Sequence, residues 1–265
     1  MEQTLGFVGA GNMASAIVSG ILTKGLIPPD RLWVFDHAEE KLEPWRSKGI
    51  HIAEGNSQLA QQCDVLILAV KPQNFSDVLP QLAPFMVRKC ALSIAAGISV
   101  GYLKSQLPGA MIVRVMPNTP LQVGLGATAF AAAPEVPKAL FDWLCTLFAA
   151  AGEVAVIPES QMDDIIAVSG SSPAFFFRMA AAMVSEAEKA GIDPALALRM
   201  AARTMEGSAA MLLESGKTAK ELETMVCSPG GTTLAALSAF DEFRFEEMYR
   251  EAARRCAQRS KELGR

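Results

Sequence analysis

The sequence predicts an α/β fold, a doubly wound parallel sheet followed by an all-helical region, on three observations. Short apolar runs alternate with helical segments up to about residue 158, the pattern of a parallel sheet covered on both faces. A glycine turn, Gly9-Ala10-Gly11-Asn12-Met13-Ala14, joins the first run to the first helical segment. Beyond Pro158 strand alternation stops and helical spacing takes over, which places a domain boundary there, with 1–158 as the sheet domain and 159–265 as the helical one.

Leu5-Gly6-Phe7-Val8 reads as the first strand, and the helix after the glycine turn ends near Lys24-Gly25 with Pro28-Pro29 beyond it. Leu32-Trp33-Val34-Phe35 is the second strand. A polar helix over 39–48 closes at Gly49, Ile50-His51-Ile52-Ala53 is a short third strand, and Ser57 is placed to cap a brief helix. Residues 65–70, 91–96 and 111–116 are continuous apolar runs that suit buried central strands. Edge strands over 127–132 and 153–157 flank a helix over 138–151. In the helical region Ser160 starts a helix that Gly170-Ser171-Ser172-Pro173 interrupts, and 174–190 follows, stopped by Gly191. Asp193-Pro194 is an N-cap and first-turn signal for 195–215, and Thr218-Ala219-Lys220-Glu221 is a capping box. A last amphipathic helix covers about 245–263.

Composition excludes several classes of function. The 265 residues are 51% hydrophobic and carry a net charge of −4, with three Trp and two Tyr scattered among them, so a nucleic-acid surface is not expected. The longest uncharged run, 115–134, contains three prolines and two glycines and cannot be a membrane helix. A cleavable leader is not expected, because the first strand begins within a few residues of Met1. Five cysteines, widely spaced, suggest neither a disulfide framework nor a zinc site and fit a reducing cytoplasm. The only histidines are His37 and His51, which leaves none for acid–base work or metal binding further along.

The glycine turn follows a strand, opens a helix and precedes a second strand that ends in Asp36, the context of a Rossmann-type dinucleotide site. Gly9 allows the tight turn, Gly11 lets the backbone approach a pyrophosphate, and Ala14 permits close helix–sheet packing; Asn12 and Met13 begin the helix that faces the phosphates. Asp36 stands where an acid binds the ribose hydroxyls of NADH and repels the extra phosphate of NADPH; the alternative turns Asp36 into solvent and gives that phosphate to His37 or Lys41. Asn56 and Ala69-Val70-Lys71-Pro72 lie beyond strand ends where open parallel sheets bind ligands, although a solvated loop lysine describes Lys71 equally well. Met116-Pro117-Asn118-Thr119-Pro120 ends the sixth strand in the same crevice, as a rigid wall or a plain turn.

A second loop, Cys227-Ser228-Pro229-Gly230-Gly231-Thr232-Thr233, opens a helix near the other end of the chain, with glycines that let N–H groups approach a small anion and threonines at the N-cap. A nicotinamide cofactor implies hydride transfer, and ketone reduction asks for a proton donor that the helical region does not offer before Tyr249. A protonated imine is already an electrophile and leaves no oxyanion, so loop N–H groups for a carboxylate and a hydroxyl for the nitrogen suffice. The helices over 174–190 and 195–215 are apolar nearly all round, which predicts a partner subunit over them.

Six motifs in order, Gly9-Ala10-Gly11-Asn12-Met13, Ala69-Val70-Lys71-Pro72, Ala95-Ala96-Gly97, Met116-Pro117-Asn118-Thr119-Pro120, Ser169-Gly170-Ser171-Ser172-Pro173-Ala174 and Ser228-Pro229-Gly230-Gly231-Thr232-Thr233, closely resemble pyrroline-5-carboxylate reductase. The resemblance implies a Rossmann-type domain and an all-α dimerisation domain that reduce 1-pyrroline-5-carboxylate to L-proline with NADPH or NADH. It implies that Gly230, Gly231 and Thr232 hold the substrate carboxylate and that Thr233 stands close to the ring nitrogen; Ser171 and Ser172 are expected to line the other side of the pocket, although a Ser-Ser-Pro helix break explains them adequately as structure. Ala96 and Asn118 join Gly9, Gly11, Asn12, Met13, Asp36, Asn56, Ala69, Val70, Lys71 and Pro72 as cofactor contacts. A homodimer is implied, with larger rings common. Two positions depart from the pattern: Asp36, where many members have a small polar residue, and Met225, where some have a polar one. A hydroxyacid dehydrogenase of the 6-phosphogluconate type is the alternative enzyme, but its catalytic helical lysine has only Lys189 to match, at a helix end; a nucleotide-sensing protein without turnover is the alternative of another class.

Overall fold

Every residue of β1 (Leu5–Val8) is buried, because this strand lies inside a sheet covered on both faces. The computed structural model describes residues 3–264. After β1 come α1 (Asn12–Thr23), β2 (Leu32–Phe35), α2 (Glu43–Arg46), β3 (His51–Ile52), α3 (Asn56–Gln62) and β4 (Val65–Leu68). The chain continues through α4 (Phe75–Leu82), β5 (Cys90–Ser93), α5 (Val100–Gln106), β6 (Met111–Met116), β7 (Gly126–Ala132), α6 (Lys138–Ala149) and β8 (Gly152–Val156). The sheet order is β3-β2-β1-β4-β5-β6-β7-β8. Only the β6–β7 pair is antiparallel. Strand order reverses between β1 and β4, so their carboxyl ends open a crevice at a topological switch point.

Alternate strand residues feed separate cores. Phe7, Val65 and Ile67 pack with Ile17, Trp45 and Phe148 on one face, while Val8, Leu66 and Leu68 pack with Leu59, Phe75 and Leu103 on the other. The helices α4 and α5 stand between strands where the sequence reading left them unassigned. Phe75, Val78, Leu79 and Leu82 form the buried stripe of α4, although Pro80 interrupts its pattern.

Several expectations need correction. The polar helix over 39–48 is a 3-10 turn at Glu39–Lys41 followed by the four-residue α2, because Pro44 has no N–H to continue a helix begun at Glu39 and instead sits in the first turn of a new one. Ser57 is not a cap: Gly55 precedes α3, and the Ser57 hydroxyl donates to the Gln81 carbonyl at 3.2 Å. Strand β7 is an inner strand rather than an edge, since β8 pairs on its far side. No α-helix begins at Ser160; a 3-10 turn, Glu159–Gln161, leads to a π-helical turn, Ile166–Gly170.

Helices α7 (Ser172–Lys189), α8 (Pro194–Glu214), α9 (Ala219–Met225), α10 (Thr232–Glu242) and α11 (Phe245–Leu263) complete the chain. The Asp193 carboxylate accepts the Leu196 N–H at 2.8 Å, and Thr218 and Glu221 cap α9 reciprocally. The chain forms two compact units: residues up to Ser171 with those from Ala253 on, and Ser172–Ala252. The change of period after Pro158 marks the end of the last strand, and the packing of the sheet unit continues to Ser171. No helix among the described residues is long and apolar enough to cross a membrane.

Candidate functional site

The turn after β1 is built for a ligand that approaches backbone. Gly9 has φ +103° and donates its N–H to Phe35 O at 2.7 Å, and a Cβ there would stand 3.1 Å from Ala69 O, so β1, β2 and β4 converge on one glycine. Gly11 is the N-cap of α1 with no side-chain partner, and a Cβ on it would meet nothing within 4 Å. The first N–H groups of α1, at Asn12 and Met13, therefore have neither a side-chain cap nor an acidic neighbour in the first turn, which suits a phosphate. Ala14 is wholly buried against the sheet.

Asp36 turns back onto this loop rather than into solvent. Its Oδ2 accepts the Ala10 N–H at 2.9 Å, its Oδ1 accepts the Ala38 N–H at 2.9 Å, and Lys41 Nζ lies 3.3 Å away. Burial alone would raise the Asp36 pKa, but the two N–H donors and the Lys41 ammonium outweigh it and hold the carboxyl below its ordinary range. His37 is exposed, its ring edge-on to Phe35.

Asn56, only 2% exposed, donates to Gln81 Oε1 at 3.1 Å, and its own buried Oδ1 has no partner in the protein. An orphaned buried acceptor near the carboxyl ends of the strands fits a hydroxyl donor from a bound cofactor. Ala69 and Val70 are half-buried at the end of β4, Lys71 is exposed, and Pro72 begins a 3-10 turn. Ala96 and Ser171 are brought together in one cavity of about 310 Å³ with Ile166, Cys256 and Ser260. The Asn118 Oδ1 accepts the Ala127 N–H at 2.9 Å and its Nδ2 donates to Ser169 O at 3.1 Å, tying the end of β6 to β7 and to the π-turn.

Sequence reasoning passed over Arg114. It is 4% exposed in the middle of β6, and its guanidinium meets Asp163 Oδ1 at 2.6 Å and Glu159 Oε1 at 3.8 Å. The same Asp163 oxygen accepts from Ser260 Oγ at 2.6 Å, and Glu159 Oε1 accepts the Val100 N–H at 2.6 Å. The signal was a lone arginine in an otherwise apolar strand, whose charge had to be paired once buried.

In the helical unit the glycine–threonine loop ends on Gly231 rather than on a threonine. Gly231 is the N-cap of α10, with Thr232 and Thr233 as its first two residues, and its own N–H donates to Ser228 O at 2.9 Å. Gly230 has φ +68°, and a Cβ at Gly231 would run into Ser228 Oγ. Helix α10 has no side-chain cap and no acid in its first turn, so its leading N–H groups are open to an anion. Lys189 is the last residue of α7 and pairs with Glu186 at 2.6 Å, which removes the match to a mid-helix catalytic lysine. Burial pushes the Cys63 and Cys90 thiols up to about 12, so neither supplies a thiolate at neutral pH.

Comparison with known proteins bears on both halves of the chain. Residues 159–263 match the family model described as pyrroline-5-carboxylate reductase dimerisation, and residues 4–97 match the one described as NADP oxidoreductase, coenzyme F420-dependent. The pyrroline-5-carboxylate reductase of Methanosarcina acetivorans is 38% identical over 100% of this chain and 99% of its own length. That of Escherichia coli K12 is 36% identical over the whole of both chains. Among solved structures, the Coxiella burnetii pyrroline-5-carboxylate reductase superimposes with a TM-score of 0.91 at 32% identity over all of both chains. The Plasmodium falciparum pyrroline carboxylate reductase, solved with NADP bound, gives 0.91 at 28% identity over 99% of this chain and 98% of its own.

Proposed function

Because the chain belongs to the pyrroline-5-carboxylate reductase family, we propose that it reduces 1-pyrroline-5-carboxylate to L-proline with NAD(P)H as the reductant. The observation that carries this reading is the end-to-end match to dedicated reductases, which includes both the dinucleotide turn and the dimerisation region. A bound nicotinamide supplies the hydride. The N–H groups of Gly11, Asn12 and Met13 would hold its pyrophosphate in the turn that Gly9 permits, Asn56 Oδ1 would accept a hydroxyl, and Ala69, Val70, Lys71, Pro72 and Ala96 would line the crevice. The loop at Gly230, Gly231 and Thr232 binds the substrate carboxylate, and the Thr233 hydroxyl orients the ring nitrogen without attacking it. Ser171 and Ser172 close the other side. Oxidation of NADH or NADPH on addition of pyrroline-5-carboxylate tests the reaction, and no turnover with either cofactor would end it.

Asp36 favours NADH, because a fixed carboxylate bound to the Ala10 N–H meets the ribose end of the cofactor with negative charge. Comparing KM for the two cofactors decides this, and a strong NADPH preference would give the phosphate to Lys41. The region 159–265 serves substrate binding and homodimer formation. Phe176, Phe177, Leu198, Met200 and Leu213 are exposed apolar residues on α7 and α8 that a second copy would cover. Five unpaired cysteines suit a cytoplasmic enzyme.

A further inference from the structure

We propose that Asn118 and Arg114 are positioning residues for the reaction: they pin the π-turn Ile166–Gly170 and thereby fix Ser171 beside Ala96. A π-turn is wider than an α-turn and needs outside support to persist. Its own closing bond runs from the Ser171 N–H to Ile166 O at 2.7 Å. Three contacts brace it. Ahead of the turn, Asp163 is gripped by Arg114 at 2.6 Å and by Ser260 Oγ at 2.6 Å. Within the turn, Ser169 O takes the Asn118 Nδ2 hydrogen at 3.1 Å. At its end, Gly170 lies on Met116, so that a Cβ there would stand 2.6 Å from Met116 Cε. Apart from Ser260 on α11, the supports Arg114, Met116 and Asn118 come from β6 or the two residues after it.

A role in geometry explains the buried pair better than a role in stability. Burying an ion pair sacrifices hydration that the Coulomb attraction barely offsets, and apolar residues of similar volume often hold a fold equally well. Apolar packing, however, does not dictate where the backbone of 163–171 turns, whereas a guanidinium and a carboxamide do, one hydrogen bond at a time.

The inference rests on Ser171 lining the imine pocket. Asn118→Asp keeps an oxygen for the Ala127 N–H and replaces the donor aimed at Ser169 O with a second oxygen. Its kcat/KM for pyrroline-5-carboxylate should fall about tenfold or more, since a displacement of about 1 Å in a positioning group is enough for such a loss. The Kd for NADPH should stay within about twofold, and the amides of 166–171 should exchange faster with solvent. Arg114→Met should lose imine kcat/KM in the same way, and Arg114→Lys should recover part of it. Weaker NADPH binding with unchanged exchange would make Asn118 a cofactor ligand and overturn the proposal, as would a lower Tm with unaltered kinetics. Ser171→Ala separates the two readings. If it leaves the imine KM unchanged, Ser171 is outside the pocket while a loss in Asn118→Asp still reports the tether; if Asn118→Asp alone is silent, the tether fails and Ser171 stands.

Discussion

The sheet unit and the helical unit bury their apolar residues in opposite ways. In the first, Leu5, Phe7, Leu66 and Phe130 are completely covered, whereas α8, α9 and α10 contain no buried residue at all. Phe177 is 67% exposed and Leu213 86%. A parallel sheet offers two faces, and each strand sends alternate side chains to a different core, so one chain closes both. Four helices and the first turns of a fifth in some eighty residues have too little surface among themselves to do the same. Chemistry is divided along the same line: the dinucleotide turn is braced by β1, β2 and β4, while the glycine–threonine loop sits in a unit that awaits a second copy.

The largest effect should come from charging the uncovered face. Phe177→Glu and Leu198→Glu should abolish the dimer in light scattering, because an unpaired carboxylate in an apolar interface costs about 3 kcal/mol or more. The same change at the exposed Val87 of the sheet unit should leave assembly intact, and equal behaviour at the three sites would erase the contrast. Next is the braced turn. Gly9→Ala places a Cβ 3.1 Å from Ala69 O in a backbone with φ +103°, so it should lower Tm, by about 1–3 kcal/mol of stability, and raise the cofactor KM. Thr233→Ala should reverse that pattern, lowering kcat/KM about tenfold with Tm nearly unchanged, because the α10 cap is Gly231. The smallest effect is acid dependence at Asp36. A carboxyl held below its ordinary value of 3.8 stabilises the fold above that value and loses the contribution as pH falls through its folded pKa. The Tm difference between the parent and Asp36→Asn should therefore shrink on acidification below 3.8.

Local signals were legible in the sequence and distant ones were not. Gly9, Asp193-Pro194 and the Thr218 capping box were readable because each acts within a few residues of itself. Strands β1, β2 and β6 were readable as apolar runs with punctuated ends. The break at Pro44 was also present in the sequence but was outweighed by the polar period around it. Arg114 and Asp163 are 49 residues apart, and nothing local to either names the other. Asn118 was recognisable as a residue of consequence at the end of β6, but its bond to the backbone depends on where Ser169 comes to lie, 51 residues later.

The sheet unit is discontinuous: the chain leaves it at Ser171 and rejoins it at Ala253. Gly97, at φ +80°, has the Ser260 carbonyl where a Cβ would be, and Ser260 completes a hydrogen bond to Asp163 across 97 residues. During synthesis on the ribosome, all eight strands emerge while Asp163 still lacks that donor, and the unit made first is the one finished last. Newly made chains must keep the Gly97 surface free until Ser260 has been made, a vectorial constraint that a contiguous nucleotide-binding domain escapes.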